Sequence, residues 1–240
     1  MKPNDLGRDA SVSIGLTYGF RLITYKNAIK TTFSSPYSRY KNLLIDKKLD
    51  DINQLWTSDI TYYKIGETCY YIVMIMDVYS RRIIGHSLAD NMRAENNCNA
   101  LDMAFKTRKQ RHFVNLIHHS DKGGQYISDE YVKLLTGAGI KTSMCNEVHE
   151  NAHIERVNGT VKNQYLRHWN ITKFEDLQYR LKSTINAYNM TKPHSSLDKL
   201  SPDWFEQHIK ELELVKRPKL PLWTCNETKK TNPNQCIIQF

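Results

Sequence analysis

The chain has 240 residues, with 34 Lys and Arg against 25 Asp and Glu, a formal charge of +9 and a pI near 9.2. A hydrophobic fraction of 40% supports one sizeable core, but the longest apolar run, residues 72–76, is far too short to cross a bilayer, and residues 1–5 lack the apolar stretch of a signal peptide. The positive excess favours a polyanionic partner, and nucleic acid fits better than a membrane because no basic amphipathic helix or lipidation motif accompanies it.

Residues 1–52 read as a basic, aromatic-rich N-terminal arm. Between Tyr18 and Lys48 the cations Arg21, Lys26, Lys30, Arg39, Lys41, Lys47 and Lys48 interleave with Tyr18, Phe20, Tyr25, Phe33, Tyr37 and Tyr40, against Asp46 alone. Such a segment can neutralise phosphates and stack on bases, or it can be a solvated linker. A core is expected over residues 53–206, and a C-terminal tail over 207–240.

Within the core, Leu55–Tyr63 and Tyr70–Asp77 predict strands rich in Ile, Val, Tyr and Trp, joined by a hairpin turn around Gly66. Arg82–Leu88 predicts a third antiparallel strand. Helical periodicity follows over Ala94–Arg108, with Ala100, Leu101, Met103 and Ala104 facing inward. Phe113–His118 reads as a fourth strand, ending just before Asp121. Ser128 is a helix N-cap candidate, that helix stops near Gly137 or Gly139, and Ile140–Ser143 reads as a fifth strand. A polar loop, Asn146–Asn151, precedes a helix bearing Glu155, and Phe174–Met190 predicts a last helix halted by Pro193. The order predicts an α/β fold, a mixed sheet of three antiparallel strands followed by alternating α/β elements, flanked by helices.

Cys69, Cys98, Cys145, Cys225 and Cys236 are odd in number and lack C-x-x-C spacing. Neither a zinc site nor a disulfide framework is expected, and reduced thiols suit a cytoplasmic protein.

Asp59 lies within an aromatic strand, Asp121 just beyond an apolar one, and Glu155 at the start of a helix. Burying an unpaired carboxylate costs several kcal/mol, whereas three carboxylates form a donor set for hard, oxygen-preferring Mg²⁺ or Mn²⁺. Each has an ordinary alternative: Asp59 on an exposed edge strand, Asp121 as a turn former before Gly123 and Gly124, and Glu155 as a first-turn residue favoured by the helix dipole. Asp77 also follows an apolar strand, and its setting before Tyr79 and Arg81 favours a structural turn. Glu155 and Lys162 are seven residues apart, so on an α-helix they lie within about 20° of each other. Ile154, Val157, Val161 and Tyr165 form a separate apolar stripe.

At this point a resemblance becomes specific. The stretches Asn53-Gln-Leu-Trp-Thr-Ser-Asp59-Ile-Thr-Tyr62, Asp77-Val-Tyr-Ser-Arg-Arg-Ile-Ile-Gly85, His119-Ser-Asp121-Lys-Gly-Gly-Gln-Tyr126, Glu150-Asn-Ala-His-Ile-Glu155 and Lys192-Pro-His-Ser-Ser-Leu197 with Ser201-Pro-Asp203 occur in order. Together they resemble the catalytic half of insertion-sequence transposases of the IS3-like group (the second reading-frame product), relatives of retroviral integrases. The resemblance implies a ribonuclease-H-like fold and a DDE-type polynucleotidyl transferase acting on DNA. Asp59, Asp121 and Glu155 take the positions of the metal-binding triad, with two Mg²⁺ or Mn²⁺ ions implied. Lys162 is expected at DNA phosphate, and Arg156, Asn151, Gln125 and Lys122 are further nucleic-acid candidates. His119 reads either as a supporter of Asp121 or as an ordinary strand-end residue. Element ends and target DNA are the implied partners, bound by a homo-multimer associated with the bacterial nucleoid. A nuclease that cuts without joining and a non-catalytic DNA-binding remnant are the rival readings. Two departures stand out. The stretch between Asp121 and Glu155 is slightly shorter than usual, within Met144–His149, and no end-recognising helix-turn-helix is evident, so either a separate or fused upstream partner product supplies one or this copy is truncated.

Overall fold

The computed structural model describes residues 39–145 and 148–222, together with residues 13–14 and 17–18. The chain divides into two units, residues 1–33 and 34–240. In the first, Tyr18 N donates to the Ile14 carbonyl at 3.1 Å and Thr17 Oγ1 to the Ser13 carbonyl at 3.0 Å, a single helical turn. Most of the expected basic arm lies outside the described residues.

The second unit runs β1 (Lys48–Leu49), β2 (Leu55–Ile65), β3 (Thr68–Asp77), β4 (Ile83–Ala89), α1 (Ala94–Arg108), β5 (Ile117–Ser120), α2 (Asp129–Gly137), β6 (Lys141–Met144), α3 (Ala152–Gly159), α4 (Phe174–Thr191), α5 (Pro202–Glu211) and β7 (Leu220–Pro221). Its main sheet has the order β4-β3-β2-β5-β6. β2, β3 and β4 form an antiparallel meander, and β5 and β6 join in parallel. The expected mixed α/β architecture is what the chain adopts. The β2–β3 turn is tight: Ile65 pairs with Thr68, and Gly66 takes φ 58°, a left-handed conformation that glycine enters without strain. β3 is buried continuously from Ile72 to Asp77 because helices cover both faces of the sheet.

Those faces carry separate cores. On one, Ile72, Met74 and Met76 meet Ile154, Val157 and Val161 of the Glu155 helix and Leu181, Ile185 and Tyr188 of α4. On the other, Trp56, Val73 and Ile75 meet α1 and α2 through Ala100, Leu101, Ala104, Phe105, Tyr131 and Leu135. Met103, expected inward, is only half-buried, and Phe105 fills the core in its place. Ser128 caps α2, accepting from Tyr131 N at 3.4 Å. The packing runs past the expected core limits at both ends. Leu44 and Leu49 are buried in the α4-side core, and β1 pairs with β7.

The fourth strand differs from expectation. Phe113 is buried edge-on against Trp56 at 4.9 Å, but Asn115 takes φ 65° and breaks the extended run, so β5 begins only at Ile117. No helix among the described residues is long and apolar enough to cross a membrane.

Candidate active site

Strand register sets the site. In the parallel pair β2–β5 the last partners are Ser58 and Ser120, so Asp59 and Asp121 stand one step beyond, on neighbouring strands spaced about 4.8 Å apart. Side chains alternate along a strand, and Leu55 and Ile117, an even number of residues back, belong to the core under α3 and α4. Both aspartates therefore fall on the face that α3 covers. β2 is flanked by β3 and β5 as far as Ser58, and from Asp59 onward it pairs with β3 alone. Asp121 does close a turn, accepting from Gly123 N at 3.0 Å, and a Cβ at Gly123 would meet the same oxygen. That turn aims the carboxylate and is compatible with a further role.

α3 is pinned over this end of the sheet by two buried asparagines. Asn151 donates to the Ser58 carbonyl at 3.1 Å, and Asn158 donates to Asp59 Oδ2 at 2.7 Å. Glu155 lies between them on the same helix, exposed. The three carboxyl groups act on one another electrostatically. Burial, then the charges of Asp121 and Glu155, raise the Asp59 carboxyl to about 7, against the Ile60 backbone and Asn158 hydrogen bonds. Asp121 is raised by burial, and Glu155 by burial and by Asp121. Mutual repulsion of this kind is what a site of fixed negative charge shows without a counter-ion. Among the described residues no three His, Cys, Asp or Glu side chains are placed closely enough together to hold a metal ion. The donors themselves, hard oxygens on two adjacent strands and the helix across them, fit Mg²⁺ or Mn²⁺ rather than a soft metal.

The remaining expected residues divide. Lys162 is half-buried, with Nζ 3.1 Å from the Tyr62 carbonyl, 3.3 Å from Thr61 Oγ1 and 4.5 Å from the Tyr62 ring centre. Its expected 20° alignment with Glu155 does not hold, because the α-helix gives way after Gly159 to a π-helical stretch, Thr160–Tyr165, with more residues per turn. Burial and the nearby Arg167 charge lower its pKa. Asn151 is 2% exposed and its amide is committed to β2, so it tethers the helix start instead of bordering a substrate; nor does its side chain cap α3. Gln125 donates to the Met92 carbonyl at 3.1 Å. Arg156 is exposed on α3, and Lys122 is half-buried beside Asp121 in sequence.

His119 is buried, bonded through Nδ1 to Ser143 Oγ at 2.9 Å and through Nε2 to Cys145 Sγ at 3.2 Å, so it ties β5 to β6. Asp77 is structural: it accepts from Asn53 N, Tyr79 N and Arg108, which also bridges to Glu206. Asn158 is the residue whose role local reasoning missed. Its spacing three after Glu155 puts it on the same side of the helix, but its partner lies 99 positions away.

The family model described as integrase core domain matches residues 51–149, and a second of the same description matches 138–202. The Insertion element IS600 uncharacterized 31 kDa protein of Shigella sonnei is 34% identical over 163 residues, 67% of this chain and 59% of that protein. Transposase InsF for insertion sequence IS3A, of Escherichia coli, is 33% identical over 157 residues, 64% of this chain and 54% of that protein. The chain thus spans somewhat more than half the length of these curated relatives. In fold it is similar to the HTLV-2 integrase catalytic core domain in complex with magnesium, at TM-score 0.51 and 19% identity, covering 69% of this chain and 99% of that one. A chain in the structure of the simian T-cell lymphotropic virus intasome in complex with PP2A regulatory subunit B56 gamma aligns at TM-score 0.58 and 17% identity, covering 79% of this chain and 63% of that one.

Proposed function

We propose that this chain is a DDE-type DNA transposase of the integrase core family, two models of which match residues 51–149 and 138–202, acting as a polynucleotidyl transferase. The observation that supports this most directly is the mutual charge coupling of Asp59, Asp121 and Glu155 at one end of the sheet. Three acids whose charges act on one another are costly to a fold and useful to a reaction that handles phosphates.

On this reading a water cleaves one DNA strand, and the freed 3′-OH then attacks a second phosphodiester, with no covalent protein–DNA intermediate. Asp59 and Asp121 would share the metal ions, and Glu155 would complete the second site. When bound, two divalent ions supply activation of the attacking oxygen and stabilisation of the leaving one. Asn158 orients Asp59, and the Gly123 turn orients Asp121. Lys162 supports the DNA backbone at the margin of the site, with Arg156 and Lys122 as outer phosphate contacts and Gln125 on the turn between Asp121 and α2. Two element ends must meet for strand transfer, so the working form is a multimer on DNA. Recognition of those ends falls to an upstream helix-turn-helix product. The setting is the bacterial cytoplasm, with the nucleoid as the bound state.

The test is divalent-ion-dependent cleavage and joining of labelled DNA carrying the flanking element ends, with wild type beside Glu155→Gln. Cleaved and longer joined strands from wild type alone are expected. Cleavage without joining would establish the nuclease instead, and DNA binding with no metal response in wild type would leave only a binding remnant.

A further inference from the structure

The Glu155 helix leads, past Lys162, to a strip of surface for which the reaction gives no role. Trp169 keeps 48% of its area exposed, and Tyr179 keeps 67%. The guanidinium carbon of Arg180 lies 3.7 Å from the Trp169 ring centre, at stacking distance, and 5.6 Å from that of Tyr179. Asp176 sits one helical turn before Arg180 on α4, the ordinary spacing for an ion pair. No such pair forms. Arg180 makes no hydrogen bond or ion pair among the described residues, so its N–H edge is open to an acceptor from outside. A large ring left half in water and flattened against an unpaired guanidinium gains little stability from that contact at an exposed site. It does have the form of a stacking platform for a base, with a phosphate donor at its rim.

The strip is linked through Lys162 to β2, the strand that carries Asp59. Tyr62 lies three residues beyond Asp59 on β2, about 10 Å along the strand, and its ring and carbonyl hold Lys162. Arg167 is near enough for its charge to act on both Lys162 and Tyr63. Two residues on comes Trp169. Leading from Lys162 the chain thus carries Arg167, then Trp169 with Arg180 stacked on its ring.

We propose that Trp169 and Arg180 form a nucleic-acid subsite that takes an unpaired base and its phosphate from the strand running away from the carboxylate site. The proposal rests on the transposase reading for the identity of the ligand, and its test separates the two.

Binding of full-length chain to a duplex bearing a short single-stranded tail, and to the blunt duplex, is measured without divalent ions, by anisotropy over a salt series. Trp169→Ala and Arg180→Gln are each expected to weaken the tailed complex about 5- to 100-fold, as loss of one base stack does. Trp169→Phe is expected to retain most of the affinity, and Arg180→Gln to flatten the salt dependence by about one phosphate contact. Melting temperatures show whether each variant is folded, and should Trp169→Ala unfold, Arg180→Gln and Trp169→Phe carry the comparison. Unchanged affinity in folded variants of a chain that binds and cuts DNA would overturn the subsite and leave the transposase reading standing. Equal losses on tailed and blunt DNA would overturn base stacking. Failure of wild type to bind any DNA would overturn both.

Discussion

Asn158 Nδ2 donates to Asp59 Oδ2 at 2.7 Å, and through this bond the helix that carries Glu155 is tied to the strand that carries the first aspartate. The bond is largely shielded from water, since Asn158 is 5% exposed. It leaves Asp59 with one oxygen committed to the protein, so the carboxylate plane is set before any ligand arrives. Asn151 makes the parallel bond one residue earlier on β2, to the Ser58 carbonyl. Two side chains, four before and three after Glu155, thus fix where the glutamate stands.

Replacing Asn158 by Ala removes the donor without adding charge. Loss of a group that orients a metal ligand typically costs 10- to 100-fold in metal affinity or activity. A fall of that order in Mg²⁺- or Mn²⁺-dependent cleavage is expected, with a smaller rise in melting temperature on adding the ion. Cleavage at the wild-type rate by Asn158→Ala would show that Asp59 needs no such support.

Asp59 also sets a pH dependence. Burial first, then the Asp121 charge, hold its carboxyl at about 7 in the fold, above its ordinary 3.8. The folded protein keeps a proton that the unfolded chain releases, so stability falls as pH rises through this window, and is highest on this account below about pH 4. Asp59→Asn should remove that slope and raise stability at pH 8, by ~1–2 kcal/mol once solvent screening is allowed for. Ions bind the deprotonated form, so the wild-type melting-temperature gain from Mg²⁺ should grow between pH 5 and pH 8. Parallel melting curves for wild type and Asp59→Asn at every pH would refute the assignment.

Asp77 and Asp59 should behave in opposite ways. Asp77 is fully buried, 2.8 Å from Arg108, which bridges to Glu206 at 2.7 Å. Arg108→Met leaves the buried Asp77 without its cation, while Glu206 keeps Arg82 and Ser80, and breaking such a buried pair costs about 3–5 kcal/mol. Urea denaturation should show that loss, while the melting-temperature response to Mg²⁺ survives in whatever fraction stays folded. A metal response abolished by Arg108→Met in folded protein would place Asp77 in the site after all.

Gly85 is where α1 meets the sheet. A Cβ there would lie 2.1 Å from the Ala100 carbonyl oxygen and 3.1 Å from Ala104 Cβ, and backbone cannot yield that far without moving the helix. Gly85→Ala should destabilise the fold by about 3 kcal/mol or more, visible as a sharp loss of soluble protein or a lower denaturation midpoint. A variant as stable as wild type would mean that α1 is free to lift off β4.

Alternation of apolar residues, turn glycines and helical period are local signals, and they sufficed for the three-strand meander, for α1 at Ala94–Arg108 and for α4 within one residue of its end at Thr191. The three acids drew suspicion for a related reason, since Asp59 lies within, Asp121 just beyond and Glu155 near the start of an element that periodicity already marks. What the sequence could not express is how the chain closes on itself. β5 starts late because Asn115 turns with positive φ, which nothing in a run of apolar residues announces. Lys162 lies against Tyr62 because the helix loosens to π geometry after Gly159, so a constant 100° per residue misplaces everything beyond it. Asn151 leaves the group of substrate contacts, Asn158 becomes the support of Asp59, and Asp77 becomes one anchor of an ion-pair network reaching Glu206. Sequence by itself determined which elements form and which acids were worth suspecting, because short-range sterics and burial periodicity act within a few residues. Only the tertiary structure decided which polar groups pair, because hydrogen bonds and charge coupling depend on distances between residues that lie tens of positions apart.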